Sequence, residues 1–453
     1  MMTRKIDIKE YHGPVGGWGS AKSVIKHTSR HNLLKVAPKL RHQNKPGGFM
    51  CVSCAWAKPS TPHLFEFCEN GAKATAWELD PNTVGPEFFA EHTLASLRAW
   101  PDHDLEMAGR LSHPMRYDKT ADKYLPVSWE EAFAEIGREL RLVAPEEAVF
   151  YASGRAALET SYLYALFARM FGSNNLPDSS NMCHETTSVA LPESIGVPVG
   201  TVHLGDFDAT DCIMFFGQNV GTNSPRMLHP LQQARKRGVP IVTFNPLRER
   251  GLERFTNPQS PKEMLTNEQT RLSTQYHQLL VGGDIAAIMG VCKALLALDD
   301  RAVEADKERV LDVAFIGEHT SGFEDFAALV RGTTWDDIER CSGLERLALE
   351  QCAETYAGAR AVMAMYGMGL TQHVKAVESV QMLINLLLLR GNIGKPGAGI
   401  CPIRGHSNVQ GQRTVGIAEK PELVPLDKLA EQYGFVPPRW EGMSTVDVCE
   451  GLL

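Results

Sequence analysis

The sequence has little excess charge of either sign. Its 453 residues carry 46 Lys and Arg against 54 Asp and Glu, a formal net charge of -8. Proteins that bind nucleic acid through its phosphates normally show a basic excess. The short basic run at 235–237 is most simply a solvated helix face. We therefore predict no nucleic-acid partner.

A long uninterrupted apolar run is also missing. The stretch at 279–298 contains Asp284 and Lys293, and the stretch at 382–394 is too short to span a bilayer. The first residues, MMTRKIDIKEYHG, show neither an apolar leader core nor a twin-arginine pair. We expect a cytoplasmic protein without a membrane span, in which both stretches form buried helices.

A disulfide framework is not indicated either, although the chain has ten cysteines. In a cytoplasmic chain of this length, thiols stay reduced. Scattered cysteines, taken one by one, are most simply small buried hydrophobic side chains. Seven fit that description: Cys183, Cys212, Cys292, Cys341, Cys352, Cys401 and Cys449.

The other three cysteines form a C-x2-C-x13-C pattern at Cys51, Cys54 and Cys68. A two-residue spacer lets both thiolates of the first pair point the same way, and a third can come from a following loop. Structural zinc takes four Cys or His ligands, which would require His63, and iron–sulfur clusters usually take four thiolates. A chance pair of cysteines in a loop is the remaining alternative.

From residue 126 onward, short apolar segments alternate with helical periodicity. Strands are predicted at 147–155, 211–219, 239–246 and 359–369, and helices at 127–143, 157–172, 225–238 and 375–391. Ser128 and Glu131 form a capping box at the start of the first helix. Residues 253–275 are polar and predict a long surface loop. Apolar strands alternating with helices indicate an α/β fold with parallel sheets covered on both faces.

The predicted strands end in polar or glycine-rich turns. Ligands of open α/β sheets bind outside the carboxyl ends of the strands, so these turns are candidate ligand loops. Each turn alone could also be an ordinary connection. The turn residues are Arg155, Gly217, Asn219, Thr222, Asn223, Arg226, Asn245, Pro246, Arg248, Gly282, Gly283, Asp284, Gly367, Gly369, Thr371 and Gln372.

A glycine-rich, polar run follows the apolar helix that ends near Arg390. It contains four glycines between 391 and 399 and then Arg404, His406, Asn408 and Gln410. Glycine allows the backbone to approach a ligand closely, and arginine offers a fork that matches carboxylate or phosphate. The run favours a loop lining a large cofactor site over an ordinary surface loop.

Four separated motifs carry a family resemblance. They are CVSCAW…FEFCENGAKA, SSNMCHETTSVAL at 179–191, FFGQNVGTNSPRM…TFNPLRERGLERF, and RGNIGKPGAGICPIRGHSNVQG at 390–411. Together they resemble the molybdopterin oxidoreductases, in the branch of formate dehydrogenase alpha subunits and their YdeP-like relatives. The resemblance runs from about residue 45 to 440.

The resemblance implies a dimethylsulfoxide-reductase-like fold. Several parallel-sheet, Rossmann-like domains would surround molybdenum or tungsten held by two molybdopterin guanine dinucleotides, beside a small N-terminal domain with a [4Fe-4S] cluster. We expect an arm and iron–sulfur domain at 1–125, a cofactor-binding domain with the metal-ligand motif at 126–270, and a second cofactor-binding region at 271–453. The family's further C-terminal β domain is expected to be missing.

The resemblance also assigns roles to residues. Cys183 would be the molybdenum ligand, His184 the adjacent proton acceptor and Arg404 the anchor of a small anionic substrate such as formate. Cys51, Cys54 and Cys68 would hold the iron–sulfur cluster, which passes electrons to an acceptor protein or subunit. The turn residues above, with Lys73, His406 and Asn408, would contact the cofactors, and Asp284 is the candidate for the guanine edge.

One position departs from the family pattern. Lys58 stands where formate dehydrogenases have a further cysteine, so three of four cluster cysteines are present. His63 is the nearest substitute ligand; a three-iron cluster or a weakened site are the alternatives. A catalytically silent cofactor-binding fragment is therefore the second hypothesis beside a formate dehydrogenase-like enzyme, and a zinc-bound structural protein is the third.

Overall fold

The computed structural model describes residues 11–30 and 33–453, so residues 1–10, 31 and 32 of the predicted N-terminal arm lie outside it. The strands are β1 Val15–Gly16, β2 Thr83–Val84, β3 Arg110–Leu111, β4 Met115–Asp118, β5 Lys123–Pro126, β6 Cys212–Phe216, β7 Ile241–Phe244, β8 Arg254–Thr256, β9 Thr270–Arg271, β10 Gln275–His277, β11 Val362–Tyr366 and β12 Gly399–Pro402.

Helices occupy most of the remaining described chain. They are α1 Gly17–Arg30, α2 Leu33–Leu40, α3 Glu69–Glu78, α4 Pro86–Glu91, α5 Leu94–Arg98, α6 Asp102–Ala108, α7 Trp129–Leu140, α8 Leu158–Phe171, α9 Ser179–Ile195, α10 Asp206–Ala209, α11 Val220–Asn223, α12 Leu228–Lys236, α13 Arg250–Glu253, α14 Pro261–Thr266, α15 Asp284–Glu304, α16 Val313–His319, α17 Phe323–Gly332, α18 Trp335–Ser342, α19 Arg346–Ala357, α20 Met368–Thr371, α21 Ala376–Leu388, α22 Val409–Thr414, α23 Leu426–Tyr433 and α24 Thr445–Gly451.

A five-stranded parallel sheet organises the fold. Its order is β10-β7-β6-β11-β12, so the chain adds strands outward on one side of β6 and then returns to the other side at β11. The carboxyl ends of β6 and β11 therefore lie side by side where the strand order reverses. In open parallel sheets this switch point is where ligands bind.

Both faces of this sheet are buried. Every residue of β6, β7 and β11 is buried, as expected of strands covered by helices on two sides. One face packs against α9, α15 and α21, and the other against α12. Both apolar stretches at 279–298 and 382–394 contribute buried helices to the first layer, as predicted.

The sequence predictions of the central elements are confirmed. Three predicted strands contain β6, β7 and β11, and the four predicted helices contain α7, α8, α12 and α21. Ser128 and Glu131 form the expected capping box, because the Ser128 hydroxyl accepts from the Glu131 amide and the Glu131 carboxylate accepts from the Ser128 amide. The α/β fold class follows from this arrangement.

Two predictions are wrong. Residues 148–153 form no strand; Phe150 donates its amide to Asn175 at 2.9 Å, but no neighbouring strand of the described chain pairs with this apolar segment. Residues 253–275 are not a loop, since they contain β8, α14 and β9 and lead directly into the edge strand β10. Their polar side chains form local hydrogen bonds: the Glu263 carboxylate accepts from the Asn257 amide at 2.8 Å and from Gln232 at 2.9 Å.

The five-stranded sheet takes strands from both sides of residue 270, so the two predicted regions divided there share one sheet. Smaller sheets join β1, β8 and β9, pair β2 with β3, and pair β4 with β5. Among residues 11–30 and 33–453, every helix is too short or too polar to cross a bilayer.

A candidate cofactor site at the carboxyl edge of the sheet

Two glycine turns touch at the point where the strand order reverses. Gly217 follows β6, and Gly369 lies just beyond β11 and donates its amide to the Gly217 carbonyl at 3.0 Å. Gly217 has a φ of +54°, and a Cβ atom there would lie 2.7 Å from the Gly369 backbone. Any larger residue would separate the turns, so these predicted residues shape the edge through their lack of a side chain.

Cys183 lies within α9, which begins after the buried N-cap Asp178. The Cys183 carbonyl accepts hydrogen bonds from Thr371 Oγ1 at 2.8 Å and from Gln372 Nε2 at 3.2 Å. Both donors belong to the turn after β11. Thr371 and Gln372, predicted as cofactor contacts, thus fix the backbone of the cysteine in this structure.

The Cys183 thiol experiences opposing electrostatic influences. Burial raises its pKa, and the Arg404 guanidinium acts in the opposite direction. Its Sγ lies 3.6 Å from the Ser179 carbonyl. Cys183 and Arg404 are far apart in sequence, but the residues next to them, His184 and Ile403, are hydrogen-bonded to each other at 3.0 Å.

His184 is completely buried at a kink in α9, with φ -137° and ψ 30°. Its Nδ1 lies 3.0 Å from Thr187 Oγ1, and its Nε2 lies 3.0 Å from the Ile403 carbonyl. Burial, aided by the Arg404 charge, lowers the pKa of His184 to about 4. Both ring nitrogens are therefore occupied by protein groups.

Arg404 follows β12 and is 8% exposed. Its Nε atom is buried and has no hydrogen-bond partner among the described residues. Arg404 lies between a cavity of about 1300 Å³ that also contacts Asn181 and Glu185 and a smaller one of about 300 Å³ beside Trp56. A buried guanidinium with a free donor at a cavity wall can bind an anion.

The rest of the run after β12 packs against the segment at 153–157. Asn408 donates its amide side chain to the Ala156 carbonyl at 2.9 Å, and its backbone amide binds the Gly154 carbonyl at 2.9 Å. His406 and Arg155 are exposed on the same loops. This packing brings predicted residues from positions 155 and 404–408 together.

The three clustered cysteines gather around the start of α3. Cys68 is the N-cap of this helix and accepts from the Gly71 amide at 3.4 Å, and Cys51 Sγ would lie 3.1 Å from a Cβ atom at Gly71. Burial raises the pKa of Cys51, and the charge of Cys54 raises it further. The thiols are therefore mutual neighbours.

The described residues do not form the zinc site of the third hypothesis. No group of three or more His, Cys, Asp and Glu side chains in the described ranges converges on a position for one metal ion. His63 and Lys58 are both exposed. An iron–sulfur cluster distributes its thiolates over several irons, so this geometry does not test it.

Arg226, predicted as a cofactor contact, binds protein groups in this structure. Its guanidinium forms a buried ion pair with Glu66 at 2.6 Å and donates to the Ala57 carbonyl at 3.2 Å. Arg226 therefore connects the cysteine-bearing segment, residues 51–68, to the edge of the sheet. No sequence pattern links these residues, which lie 160 positions apart.

A cavity of about 710 Å³ lies between α1, the cysteine-bearing segment and the turns after β6 and β7. Cys68 borders it, together with the predicted cofactor residues Asn219, Thr222 and Arg248. Asn219 also caps α11 through Thr222 and donates to Glu249 at 2.7 Å. Cys68, predicted as a cluster ligand, thus shares one cavity with three turn residues.

The remaining predicted residues have local contacts. Lys73 stacks on Trp77 of α3 at 4.7 Å. Asn245 donates to the Leu247 carbonyl, and Pro246 accepts from Gln278. Asp284 begins α15 after Gly282 and Gly283, and burial raises its pKa to about 6. Asn223 is exposed at the end of α11, and Gly367 precedes α20.

Three residues of the site were not predicted. Buried Asp178 caps α9 and pairs with Arg413 at 3.1 Å, and the PDSSN sequence that precedes the helix is a recognisable capping signal. Thr187 and Tyr366 join their hydroxyls at 2.8 Å beside His184. Tyr366 ends a predicted strand, but nothing in the sequence links it to Thr187.

Comparison with known proteins identifies the family. A profile described as "Molybdopterin oxidoreductase" matches residues 110–433. The chain belongs to this family. The matched residues include the kinked helix α9, the whole five-stranded sheet and the run after β12.

Several relatives of this molybdopterin oxidoreductase are longer. Protein YdeP of Escherichia coli K12 is 50% identical over 98% of this chain and 58% of its own length. An uncharacterized oxidoreductase of Mycobacterium tuberculosis H37Rv is 42% identical over 94% of this chain and 54% of its own length. The chain therefore spans less than two thirds of these relatives.

More distant matches include the F420-dependent formate dehydrogenase 1 subunit alpha of Methanococcus maripaludis, 31% identical over 64% of this chain and 39% of its own. Among solved structures, acetylene hydratase from Pelobacter acetylenicus aligns with a TM-score of 0.49 and 18% identity, over 63% of this chain and 35% of that one.

The residues at the sheet edge fit the pterin cofactor that the family implies. The cavity of about 710 Å³ is bordered by Asn219 and Thr222 of the turn after β6 and by Arg248 of the turn after β7. Buried polar atoms without partners in the described chain include Arg404 Nε, Gln218 Nε2 and Ser407 Oγ. Buried polar atoms are normally paired, so these atoms suit a polar ligand.

Proposed function

We propose that this molybdopterin oxidoreductase oxidises a small anion, with formate as the leading candidate. The observation that carries the proposal is the hydrogen bond of 3.0 Å between His184 Nε2 and the Ile403 carbonyl, which joins the segment of Cys183 to the segment of Arg404 at the switch point. Loss of two electrons and a proton from formate requires an electron acceptor, a cation for the carboxylate and a route for the proton.

In this proposal Cys183 is the ligand of molybdenum or tungsten, and the turns after β6, β7 and β11 hold two molybdopterin guanine dinucleotides. When bound, the metal centre would supply a two-electron acceptor. Arg404 orients the substrate carboxylate, because its buried Nε has no other partner in the described chain. The low exposure of Arg404 strengthens that interaction by excluding water.

Electrons would leave through a cluster at Cys51, Cys54 and Cys68 toward an acceptor protein or subunit. The neighbouring thiols around Gly71 support a shared centre. Cys68 also borders the cavity that contacts Asn219 and Thr222. A cluster there would lie beside the proposed dinucleotide site.

Elemental analysis combined with a dye-linked formate assay tests the proposal. We expect molybdenum or tungsten near one atom per chain, pterin fluorescence after denaturation, iron, and formate-dependent dye reduction. Metal and pterin without turnover on formate would leave the family assignment intact and reject formate. Absence of both would support the silent cofactor-binding alternative.

The anchor role of Arg404 has its own test. Arg404→Ala should raise KM for an anionic substrate more than it lowers kcat, because the lost guanidinium binds the carboxylate. Arg340→Ala, on the exposed helix α18, is the control. Unchanged KM in Arg404→Ala, with metal content preserved, would reject the anchor role.

A further inference from the structure

A chain of hydrogen bonds crosses the site from β11 to the residue before Arg404. Tyr366 and Thr187 join their hydroxyls at 2.8 Å, Thr187 Oγ1 lies 3.0 Å from His184 Nδ1, and His184 Nε2 lies 3.0 Å from the Ile403 carbonyl. Tyr366, Thr187 and His184 are buried. Solvent is therefore excluded from each of these contacts.

The chemistry of the partners fixes the direction of this chain. The Ile403 carbonyl can only accept, so His184 Nε2 carries a hydrogen. Nδ1 of the neutral ring is then an acceptor, and the Thr187 hydroxyl donates to it. Thr187 Oγ1 in turn accepts from the Tyr366 hydroxyl. Every donor and acceptor of the imidazole is satisfied within the protein.

Ile403, the last residue of this series of hydrogen bonds, forms two backbone hydrogen bonds. The Ile403 carbonyl accepts from His184, and its amide donates to the Tyr366 carbonyl at 2.8 Å. In the sequence, Arg404 directly follows Ile403, and Cys183 directly precedes His184. The imidazole therefore bridges the segment that carries the thiol and the segment that carries the guanidinium.

We propose that His184 is a positioning residue, a bridge through its Nε2–H that Thr187 and Tyr366 orient so that Cys183 and Arg404 keep their spacing. This differs from the proton-acceptor role implied by the resemblance, because a ring nitrogen would have to break a buried hydrogen bond before it accepted a proton. The effect on turnover rests on the proposed function, but the hydrogen-bonded state of the ring does not.

The state of the ring can be measured without turnover. Two-bond ¹H–¹⁵N correlation spectra of protein labelled with ¹⁵N-histidine distinguish the two tautomers, and the His184 signal is identified by its loss in His184→Gln. We expect the Nε2–H tautomer at pH 7.5. A His184 signal from a ring without a hydrogen on Nε2 would overturn the proposal.

Thr187→Val removes the donor to Nδ1 with little change of shape, so the His184 signals should shift, and Thr187→Ser should restore them. Thr243→Val is the matched control, since Thr243 is a buried β7 residue bonded to Ser273 at 2.7 Å. Unchanged His184 signals in Thr187→Val would contradict the proposed orientation.

Tyr366→Phe provides a second variant if Thr187→Val does not fold. It should shift the His184 signals less, because Thr187 keeps its own hydroxyl. Tyr356→Phe is the control, since the buried Tyr356 hydroxyl binds the Leu386 carbonyl at 2.7 Å away from His184. Equal shifts of the His184 signals in Tyr366→Phe and Tyr356→Phe would mean that the shift does not depend on the hydrogen bonds that join Tyr366, Thr187 and His184. That result would overturn the proposal.

Two substitutions of His184 distinguish a positioning role from a general-base role. A glutamine side chain can donate to Ile403 but cannot take a proton at working pH, whereas leucine can do neither. A general base contributes roughly 10²–10⁴-fold to the rate, so if His184 were a base, both variants would lose this rate contribution equally. A bridge predicts that His184→Gln stays within about tenfold of wild type while His184→Leu loses more. Equal large losses of turnover in His184→Gln and His184→Leu would reject the positioning role. If the wild type does not oxidise formate, the proposed substrate is rejected, and the ¹H–¹⁵N spectra still test the bridge.

Discussion

At the scale of single residues, Cys183 shows how a site can hold a thiol ready for a metal. Burial favours the neutral thiol, and the Arg404 guanidinium favours the thiolate. Metals bind the thiolate and release its proton, so a bound metal would reverse the effect of burial. The same residue is thus stable as a buried thiol and competent as a ligand.

Cys183→Ala should keep the pterin but lose turnover, since the dinucleotide contacts lie on other elements and only the metal ligand is removed. Pterin fluorescence, metal content and formate-dependent dye reduction measure this. Cys292→Ala, at a fully buried cysteine of α15, controls for the loss of a buried sulfur. Wild-type turnover in Cys183→Ala would rule out the ligand role.

Arg226 and Glu66 form a buried ion pair, with side-chain exposures of 7% and 11%. Removing one partner leaves the other charge buried and unpaired, which costs about 3–5 kcal/mol. Arg226→Ala should lower the urea midpoint accordingly. Arg340→Ala breaks an exposed pair with Asp337 and should change the midpoint little. Equal effects of the two variants would contradict the structural role of Arg226.

Single-residue roles were only partly predictable. The motifs predicted Cys183, His184 and Arg404 as parts of one site, and in the structure His184 contacts the Ile403 carbonyl beside Arg404; their roles stay predictions. The pairing of Arg226 with Glu66 was not, since a guanidinium suits a phosphate and a carboxylate equally well. Which anion it meets depends on contacts between segments that no local pattern encodes.

At the scale of elements, the edge strand β10 places His277 in an apolar environment. Its ring stacks on Phe244 at a centroid distance of 4.8 Å. Burial lowers the pKa of His277 from 6.5 to about 4. Between these values the unfolded chain binds the proton and the folded chain does not, so stability falls as the pH falls from about 6.5 toward 4.

His277→Phe should remove this contribution while keeping the stacking. Lowering the pH from 7.5 to 5 should then cost the variant about 2 kcal/mol less unfolding free energy than the wild type. Urea midpoints at both pH values measure the difference. His103→Gln, on the exposed helix α6, is the control. An unchanged pH dependence in His277→Phe would show that the ring titrates normally in the fold.

Elements were predictable where apolar runs are continuous. Strands β6, β7 and β11 are entirely buried, and their hydrophobic sequences predicted them. The strand β12 has the sequence GICP, which reads as a loop because of its glycine and proline. The opposite error occurred at 147–155, where an apolar sequence predicts a strand but pairing depends on a partner elsewhere.

At the scale of the whole molecule, the site is assembled from distant parts of the chain. Residues at positions 68 and 219 border one cavity, and hydrogen bonds join residues 371 and 183 and residues 184 and 403. A cofactor that touches several of these segments would connect them. Ligands that bind only the folded state stabilise it by mass action.

Protein loaded with the pterin cofactor should therefore unfold at a higher temperature than protein produced without molybdate and tungstate and shown to lack pterin. Differential scanning calorimetry measures the shift, and limited proteolysis should show stronger protection of the segment at 51–68 in the loaded form. Cys183→Ala distinguishes the source of the effect. If the dinucleotide contacts carry the stabilisation, this variant keeps most of the rise in Tm without turnover; if the thiolate–metal bond carries it, the rise disappears. Equal Tm values for loaded and cofactor-free wild type would show that the cofactor does not join these segments.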